Sequence, residues 1–169
     1  MAQNTDNKIY TIVAESIPFL KVGALRQFNE ILQAEGLYNQ EAWNLSSSIY
    51  HIGTNMVEFK SYDQPSKALG AKRHFLFINE AINIPYETFI NLEGRTDQLT
   101  ILDYNPSYEF WVHDRLLNAN RSDVGYVHST YKDNPYLPKK IIETIERYKE
   151  YDMNRRCIVT GKQIGRAHV

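Results

Sequence analysis

The sequence is short of several features that would assign a protein class at once. Cys157 is the only cysteine among 169 residues, so an internal disulfide is excluded and a reducing, cytoplasmic setting is favoured. The formal net charge is −1, so no overall basic field indicates nucleic-acid binding. No apolar run approaches the length of about 18 residues that a membrane span needs. With 43% apolar and 23% charged residues, the composition is that of an ordinary globular domain.

The spacing of apolar residues predicts an α/β fold. It indicates strands over residues 8–14, 74–78 and 98–106, and a helix over residues 21–35. The other predicted elements are a hairpin over 47–63 that turns at 53–55, a helix over 85–95, a helix over 107–118 capped by Ser107, a strand and turn over 124–135, and a helix over 138–152. Because strands alternate with helices, we expect a mainly parallel sheet covered on both faces.

Polar residues follow two of the predicted strands. "HFLFINEA" sets Asn79 and Glu80 after a buried strand, and "ILDYNPS" sets Asn105 at the end of the next. Active sites of parallel sheets lie at the carboxyl ends of the strands. A carboxylate there can orient or deprotonate an attacking water, although an acidic residue can equally be a plain cap. Asn79 can simply close its strand, and Asn105 can belong to an ordinary Asn-Pro turn.

Several short motifs carry a family resemblance through their order along the chain. They are "VEFKSYDQPSKALGAKR", "HFLFINEA", "LEGRT", "ILDYNPSYEFW", "HSTYKDNPYLP" and "IETIERYKEYD". Each motif is weak alone, but the ordered set closely resembles the ATPase domain of the large terminase subunit of tailed phages, from about residue 8 to about residue 162. That subunit is the motor that moves genomic DNA into an empty capsid. The resemblance implies a P-loop-NTPase-like α/β fold, with a mainly parallel sheet flanked by helices.

The same resemblance implies roles for individual residues. Glu80 matches the candidate catalytic carboxylate of the Walker B strand, and Asn79 matches the metal-side position, where it would hold Mg²⁺ through a water. Asn105 matches the sensor of the coupling motif, which links hydrolysis to movement. Arg95 matches a recurrent position for which we expect a nucleotide-binding or coupling role. ATP and Mg²⁺ are the cofactors implied for the full-length protein.

The sequence departs from the family pattern in two ways. It has no Gly-rich loop ending in Gly-Lys-Ser or Gly-Lys-Thr, the loop that holds phosphates through backbone amides and a lysine. Asn79 stands where nucleotide-hydrolysing motors usually carry aspartate, and it lacks the negative charge. We therefore expect residues 1–150 to be a partial ATPase domain without the first strand and the phosphate loop, and residues 151–163 to begin a linker toward a nuclease domain.

The last six residues read "IGRAHV". They match the translation of the codons ATC-GGA-AGA-GCA-CAC-GTC, which resemble a widely used sequencing adapter. Gln163 stands where a codon shared by native sequence and adapter would fall. We expect residues 164–169 to be an adapter artefact and exclude them from the prediction of the fold.

The resemblance also implies partners and a location. They are double-stranded phage DNA, the portal protein, the small terminase subunit and further copies of the same chain in a ring on the procapsid, in the cytoplasm of the infected bacterial host and without a membrane. Two alternatives stay open. One is a fragment of a helicase-like ATPase, and the other is a non-catalytic binding module that keeps the nucleotide-binding fold.

We predict that the isolated 169-residue chain hydrolyses ATP poorly or not at all, because it has no phosphate-binding loop. Steady-state release of phosphate from Mg–ATP by the purified chain measures this. Robust turnover that Glu80→Gln abolishes would contradict the prediction.

Overall fold

The computed structural model describes residues 7–62, 70–119, 121–151 and 161–168, with the backbone alone for residues 148–151 and 161–168. The helices and strands follow in chain order. They are β1 (Ile9–Ala14), α1 (Ile17–Val22), α2 (Ala24–Ala34), β2 (Trp43–Asn44), β3 (Ile49–Ile52), β4 (Asn55–Ser61), β5 (Arg73–Ile78), α3 (Tyr86–Glu93), β6 (Thr96–Tyr104), β7 (Val124–Thr130), α4 (Lys139–Tyr151) and β8 (Gly161–His168).

The described strands form one sheet in the order β2-β3-β4-β1-β5-β6-β8-β7. Its centre is parallel, because β1 pairs in parallel with β4 and β5, and β5 pairs in parallel with β6. Antiparallel pairs lie on both sides of this centre, with β2–β3–β4 at one end and β6–β8–β7 at the other. The predicted α/β class, with a parallel sheet flanked by helices, is confirmed.

One face of the sheet is covered by α3 and by a short helix whose π-helical part spans His113–Leu117. Alternate residues of the central strands point to this face, as the two-residue period of a strand requires. The buried cluster combines side chains from the strands with Phe89, Leu92, Val112 and Leu116 from the two helices; the strand members are Val13, Leu76, Ile78, Leu102 and Tyr104. This cluster is the larger part of the core.

On the other face of the sheet, a group of aromatic rings packs α2 against the strands. Phe28 of α2 lies edge-on to Tyr50 and Phe59, with ring centroids 5.6 and 5.3 Å apart. Trp43 completes the group, 5.0 Å from Tyr50. Large apolar rings bury much surface and prefer such edge-to-face contacts, so this cluster fixes α2 on the hairpin end of the sheet.

The helix predicted over residues 21–35 is in fact two helices, α1 and α2, that meet at Gly23. The backbone of Gly23 leaves the helical region, with φ −97° and ψ −104°. A side chain at this position would bring a Cβ to 3.1 Å from the Phe19 carbonyl oxygen. Glycine therefore permits the break, which an apolar spacing alone does not reveal.

The helix predicted over residues 107–118 begins later, and Ser107 is not its cap. Residues 105–110 form a loop, and the first helical residue is Trp111. The loop returns Phe110 to the core, where its ring meets Tyr104 edge-on at 4.8 Å. Because the Phe110 ring is buried there, the residues before it form a loop and not the first turn of the helix.

The remaining predicted elements agree with the structure within a few residues. The hairpin turns at Gly53, whose φ of 60° suits glycine, and α4 follows Pro138 as expected. The backbone of residues 161–168 forms a strand between β6 and β7. This position does not test the adapter origin of residues 164–169, which stays a prediction. Residues 152–160, most of the expected linker, lie outside the described residues.

Candidate functional site

The central parallel strands bring the predicted site residues to one edge of the sheet. β1, β5 and β6 run in the same direction and end at Ala14, Ile78 and Tyr104. Asn79 and Glu80 follow β5, and Asn105 follows β6. The structure therefore brings these three residues to a common carboxyl edge, where parallel α/β sheets bind their ligands.

Glu80 has an unusual backbone conformation. Its φ of 56° and ψ of 58° are left-handed, which is uncommon for a residue other than glycine. In this conformation the Glu80 N–H donates a hydrogen bond to Asp103 Oδ1 at 2.8 Å, and the Glu80 carbonyl accepts one from Asn83 N–H at 3.0 Å. The left-handed conformation costs roughly 1–2 kcal/mol. Such local strain is concentrated at functional sites.

Asp103 is the partner that stabilises this conformation. Its side chain is only 4% exposed, within β6. A hydrogen bond from a backbone N–H to a buried carboxylate contributes about 1.5–3 kcal/mol, which is enough to offset the left-handed strain at Glu80. Sequence analysis missed Asp103. The available signal was an acidic residue among the apolar residues that end β6, two positions before Asn105.

Asn79 lies half-buried between the end of β5 and the break between α1 and α2. Its backbone N–H donates to the Val13 carbonyl at 2.8 Å and so continues the strand ladder. Its side-chain Nδ2 would be 3.6 Å from a Cβ built on Gly23. Because Ile78 pairs with Leu102, Asn79 and Asp103 are the next residues on their strands. The uncharged amide thus neighbours a carboxylate on the adjacent strand.

Asn105 is half-buried and begins the loop that follows β6. Its carbonyl accepts a hydrogen bond from Ser107 N–H at 2.9 Å, which closes a three-residue turn around Pro106. The loop is tied to the segment after Glu80, since Trp111 Nε1 donates to the Ile84 carbonyl at 2.7 Å. The segments that follow β5 and β6 are therefore joined beyond the strands themselves.

Arg95 lies at the opposite edge of the sheet from Glu80. Arg95 immediately precedes β6 and Asn105 immediately follows this strand, so Arg95 and Asn105 are roughly 30 Å apart along the extended strand. The Arg95 Nε donates to the Gly70 carbonyl at 3.0 Å. The structure does not bring Arg95 to the carboxyl edge, and its role in nucleotide binding or coupling stays a prediction.

The "STYKDNP" turn is built by a capping box. Asp133 accepts hydrogen bonds from the Thr130 backbone N–H and hydroxyl at 2.6 and 2.9 Å, and Thr130 Oγ1 accepts one from Lys132 N–H at 3.2 Å. The bonds from Thr130 hold the pKa of the Asp133 carboxyl below its usual range. These contacts occupy the Asp133 carboxylate and agree with a structural turn.

Comparisons with known proteins show the family to which this chain belongs. The family described as "Phage terminase large subunit" matches residues 2–162. The chain belongs to this family. The PBSX phage terminase large subunit of Bacillus subtilis (strain 168) is 28% identical over 154 residues, which cover 74% of this chain and 35% of that protein. This terminase chain therefore spans about a third of the length of that relative.

Solved terminase structures share the fold. A crystal form of the large terminase from the thermophilic bacteriophage D6E is 15% identical, with a TM-score of 0.65, and the match covers 94% of this chain and 41% of that one. The same protein in complex with ADP is 16% identical, with a TM-score of 0.62. This match covers 88% of this chain and 38% of the D6E chain. At these identities the likeness shows the fold alone.

The carboxyl edge of this terminase chain offers oxygen ligands of the kind that Mg²⁺ takes. Asn79 supplies an amide oxygen, and Glu80 and Asp103 supply carboxylates. Mg²⁺ in nucleotide sites is bound through one or two carboxylates together with substrate phosphates, so a complete protein cage is not needed. Within the described ranges there is no group of three or more His, Cys, Asp or Glu residues that would form such a cage. The donor set fits a phosphate-bound ion.

We predict that Glu80→Gly raises the free energy of unfolding of the chain by about 1 kcal/mol, because glycine adopts the left-handed conformation without strain. Chemical denaturation of the purified chain measures the change. Glu80→Ala is the matched control, since it removes the same carboxylate but keeps the Cβ that causes the strain. Equal stability of the glycine and alanine variants would contradict the prediction.

Proposed function

We propose that this chain is part of the ATP-hydrolysing motor that packages phage DNA into the procapsid. The proposal rests on one observation: in a member of the terminase large subunit family, a strained Glu80 and the strand-end Asn105 lie at the same carboxyl edge of the sheet. Strand-end carboxylates with distorted backbones are typical of catalytic positions. Open α/β sheets bind their ligands at this edge.

Glu80 is the proposed catalytic carboxylate. It would accept a hydrogen bond from the attacking water and orient it toward the terminal phosphate, or take its proton. Asn105, on the neighbouring strand end, is the proposed sensor that passes the change in the nucleotide to the rest of the chain. The bond between Trp111 and Ile84 supports this role, because it joins the segments that follow the two strands. Arg95, at the other edge, would act in coupling rather than beside Glu80.

ATP and Mg²⁺ are the proposed cofactors of the full-length protein. The D6E large terminase has been crystallised in complex with ADP, which supports nucleotide binding here. Bound Mg²⁺ would neutralise charge on the phosphates during transfer. Asn79 is the proposed metal-side residue and would act through a water, because an amide oxygen attracts the ion less than a carboxylate does.

The proposed partners follow from the motor role. They are double-stranded phage DNA, the portal protein, the small terminase subunit and further copies of the chain in a ring at the portal of the procapsid, in the cytoplasm of the bacterial host. No helix within the described ranges is long and apolar enough to span a membrane. Membership of the terminase family makes a helicase-like ATPase the weaker alternative, whereas a non-catalytic module is separated from the motor by the experiments below.

In the full-length protein, we predict that Glu80→Gln lowers kcat for ATP hydrolysis by about 10²–10⁴-fold while the affinity for Mg–ATP stays within a few-fold, because the water loses its base but the phosphates keep their ligands. Glu87→Gln is the matched control, since Glu87 is exposed on α3. Steady-state hydrolysis and nucleotide titration measure the two quantities. A Glu80→Gln protein with unchanged turnover would favour the non-catalytic module.

We predict that Asn79→Asp in the full-length protein tightens Mg–ATP binding by about fivefold, because a carboxylate beside the ion adds an attraction on the order of 1 kcal/mol. Binding is measured at several Mg²⁺ concentrations. Asn39→Asp adds the same charge at an exposed helix cap and should have no effect. If magnesium dependence does not change, Asn79 only closes its strand.

A further inference from the structure

We infer that Asp103 is a positioning residue for Glu80, a role that rests on the proposed function. Its carboxylate accepts the Glu80 N–H at 2.8 Å and thereby holds the backbone from which the catalytic carboxylate projects. Asp103 is 4% exposed, so water does not compete freely for this bond.

The left-handed conformation of Glu80 is what makes a support necessary. A residue with a Cβ leaves this region of backbone space readily unless its surroundings fix it. On the carboxyl side, Glu80 is followed at once by a short 3₁₀ turn over Ala81–Asn83, and the Glu80 carbonyl accepts the Asn83 N–H. On the amino side, Asn79 N–H is bonded to Val13. The hydrogen bond to Asp103 fixes the Glu80 N–H, which lies between the bonded Asn79 N–H and the bonded Glu80 carbonyl.

The position of Asp103 also connects Glu80 to the coupling segment. Asp103 and Asn105 are two residues apart on one chain segment, at the end of β6. A displacement of Asn105 therefore moves the acceptor that holds Glu80, and this connection runs through the backbone of β6. In this way the strand that carries the sensor also sets the backbone of the catalytic residue.

A different role for Asp103 is distinguishable by experiment. Asp103 neighbours Asn79 across the β5–β6 pair, so its carboxylate could instead supply the negative charge for the metal that Asn79 lacks. An amide in place of Asp103 keeps an oxygen that accepts the Glu80 N–H but loses the charge. Asp103→Asn therefore separates a positioning residue from a metal ligand, and Asp103→Ala removes both functions.

The first experiment is steady-state ATP hydrolysis by the full-length protein and its variants. We expect Asp103→Ala to lower kcat by about 10–100-fold with KM changed by less than about threefold, and Asp103→Asn to recover most of the loss. Asp97→Ala, an exposed acid at the start of the same strand, is the matched control. If Asp103→Ala does not fold, as judged by circular dichroism, Asp103→Val serves as the variant without an acceptor.

The second experiment reads the backbone directly and does not depend on catalysis. Amide hydrogen exchange at Glu80, measured by NMR on the labelled chain, should be slow in the wild type and in Asp103→Asn, and at least about tenfold faster in Asp103→Ala. Exchange that is equally fast in all three proteins would overturn the inference, whatever the result for ATP hydrolysis.

The outcomes separate the inference from the proposed function. Unchanged kcat in Asp103→Ala, in a protein that Glu80→Gln inactivates, overturns the positioning role and leaves the motor intact. Equal losses in Asp103→Asn and Asp103→Ala, with a raised requirement for Mg²⁺, overturn it in favour of a metal ligand. If Glu80→Gln itself keeps full turnover, the proposed function fails, and a positioning role in catalysis fails with it.

Discussion

The parallel pairing of β1, β5 and β6 is the constraint on which the rest of this structure depends. It makes the three strands end at the same edge, and it gives the sheet two apolar faces against which other elements can pack. α3 and the helix that includes His113–Leu117 cover one face, while α2 and the ring of Phe28 cover part of the other. Asn79, Glu80 and Asn105 follow the ends of β5 and β6, and there the candidate site lies.

The fold could be predicted from the sequence because its strands carry strong local signals. "HFLFI" is a continuous apolar run, and the two runs on either side of Gly53 alternate, so β5 and the hairpin were predicted within a residue or two. The helix break at Gly23 and the delayed helix after Pro106 were not predicted. The break depends on the local backbone of Gly23 beside the Phe19 carbonyl, and the delayed helix depends on the burial of Phe110; an apolar period encodes neither.

The candidate site was accessible to sequence analysis only in part. The placement of Asn79, Glu80 and Asn105 follows from the rule that polar residues end buried strands, and the family resemblance supplied their roles. Asp103 was missed because its importance lies in a hydrogen bond to a residue 23 positions away. The family resemblance grouped Arg95 with the site. Arg95 precedes β6 and Asn105 follows it, so the whole length of this strand separates the two residues.

The position of β1 has a consequence for how the chain folds. β1 comes early in the sequence but lies in the middle of the sheet, and bonds near its start join residues that are 47 and 65 positions apart. Contacts over such separations are entropically expensive to form, whereas the β3–β4 hairpin closes through a two-residue turn. We therefore expect the hairpin to assemble locally, and the carboxyl edge, which needs β1 and β5 side by side, to be completed only after distant parts of the chain have met.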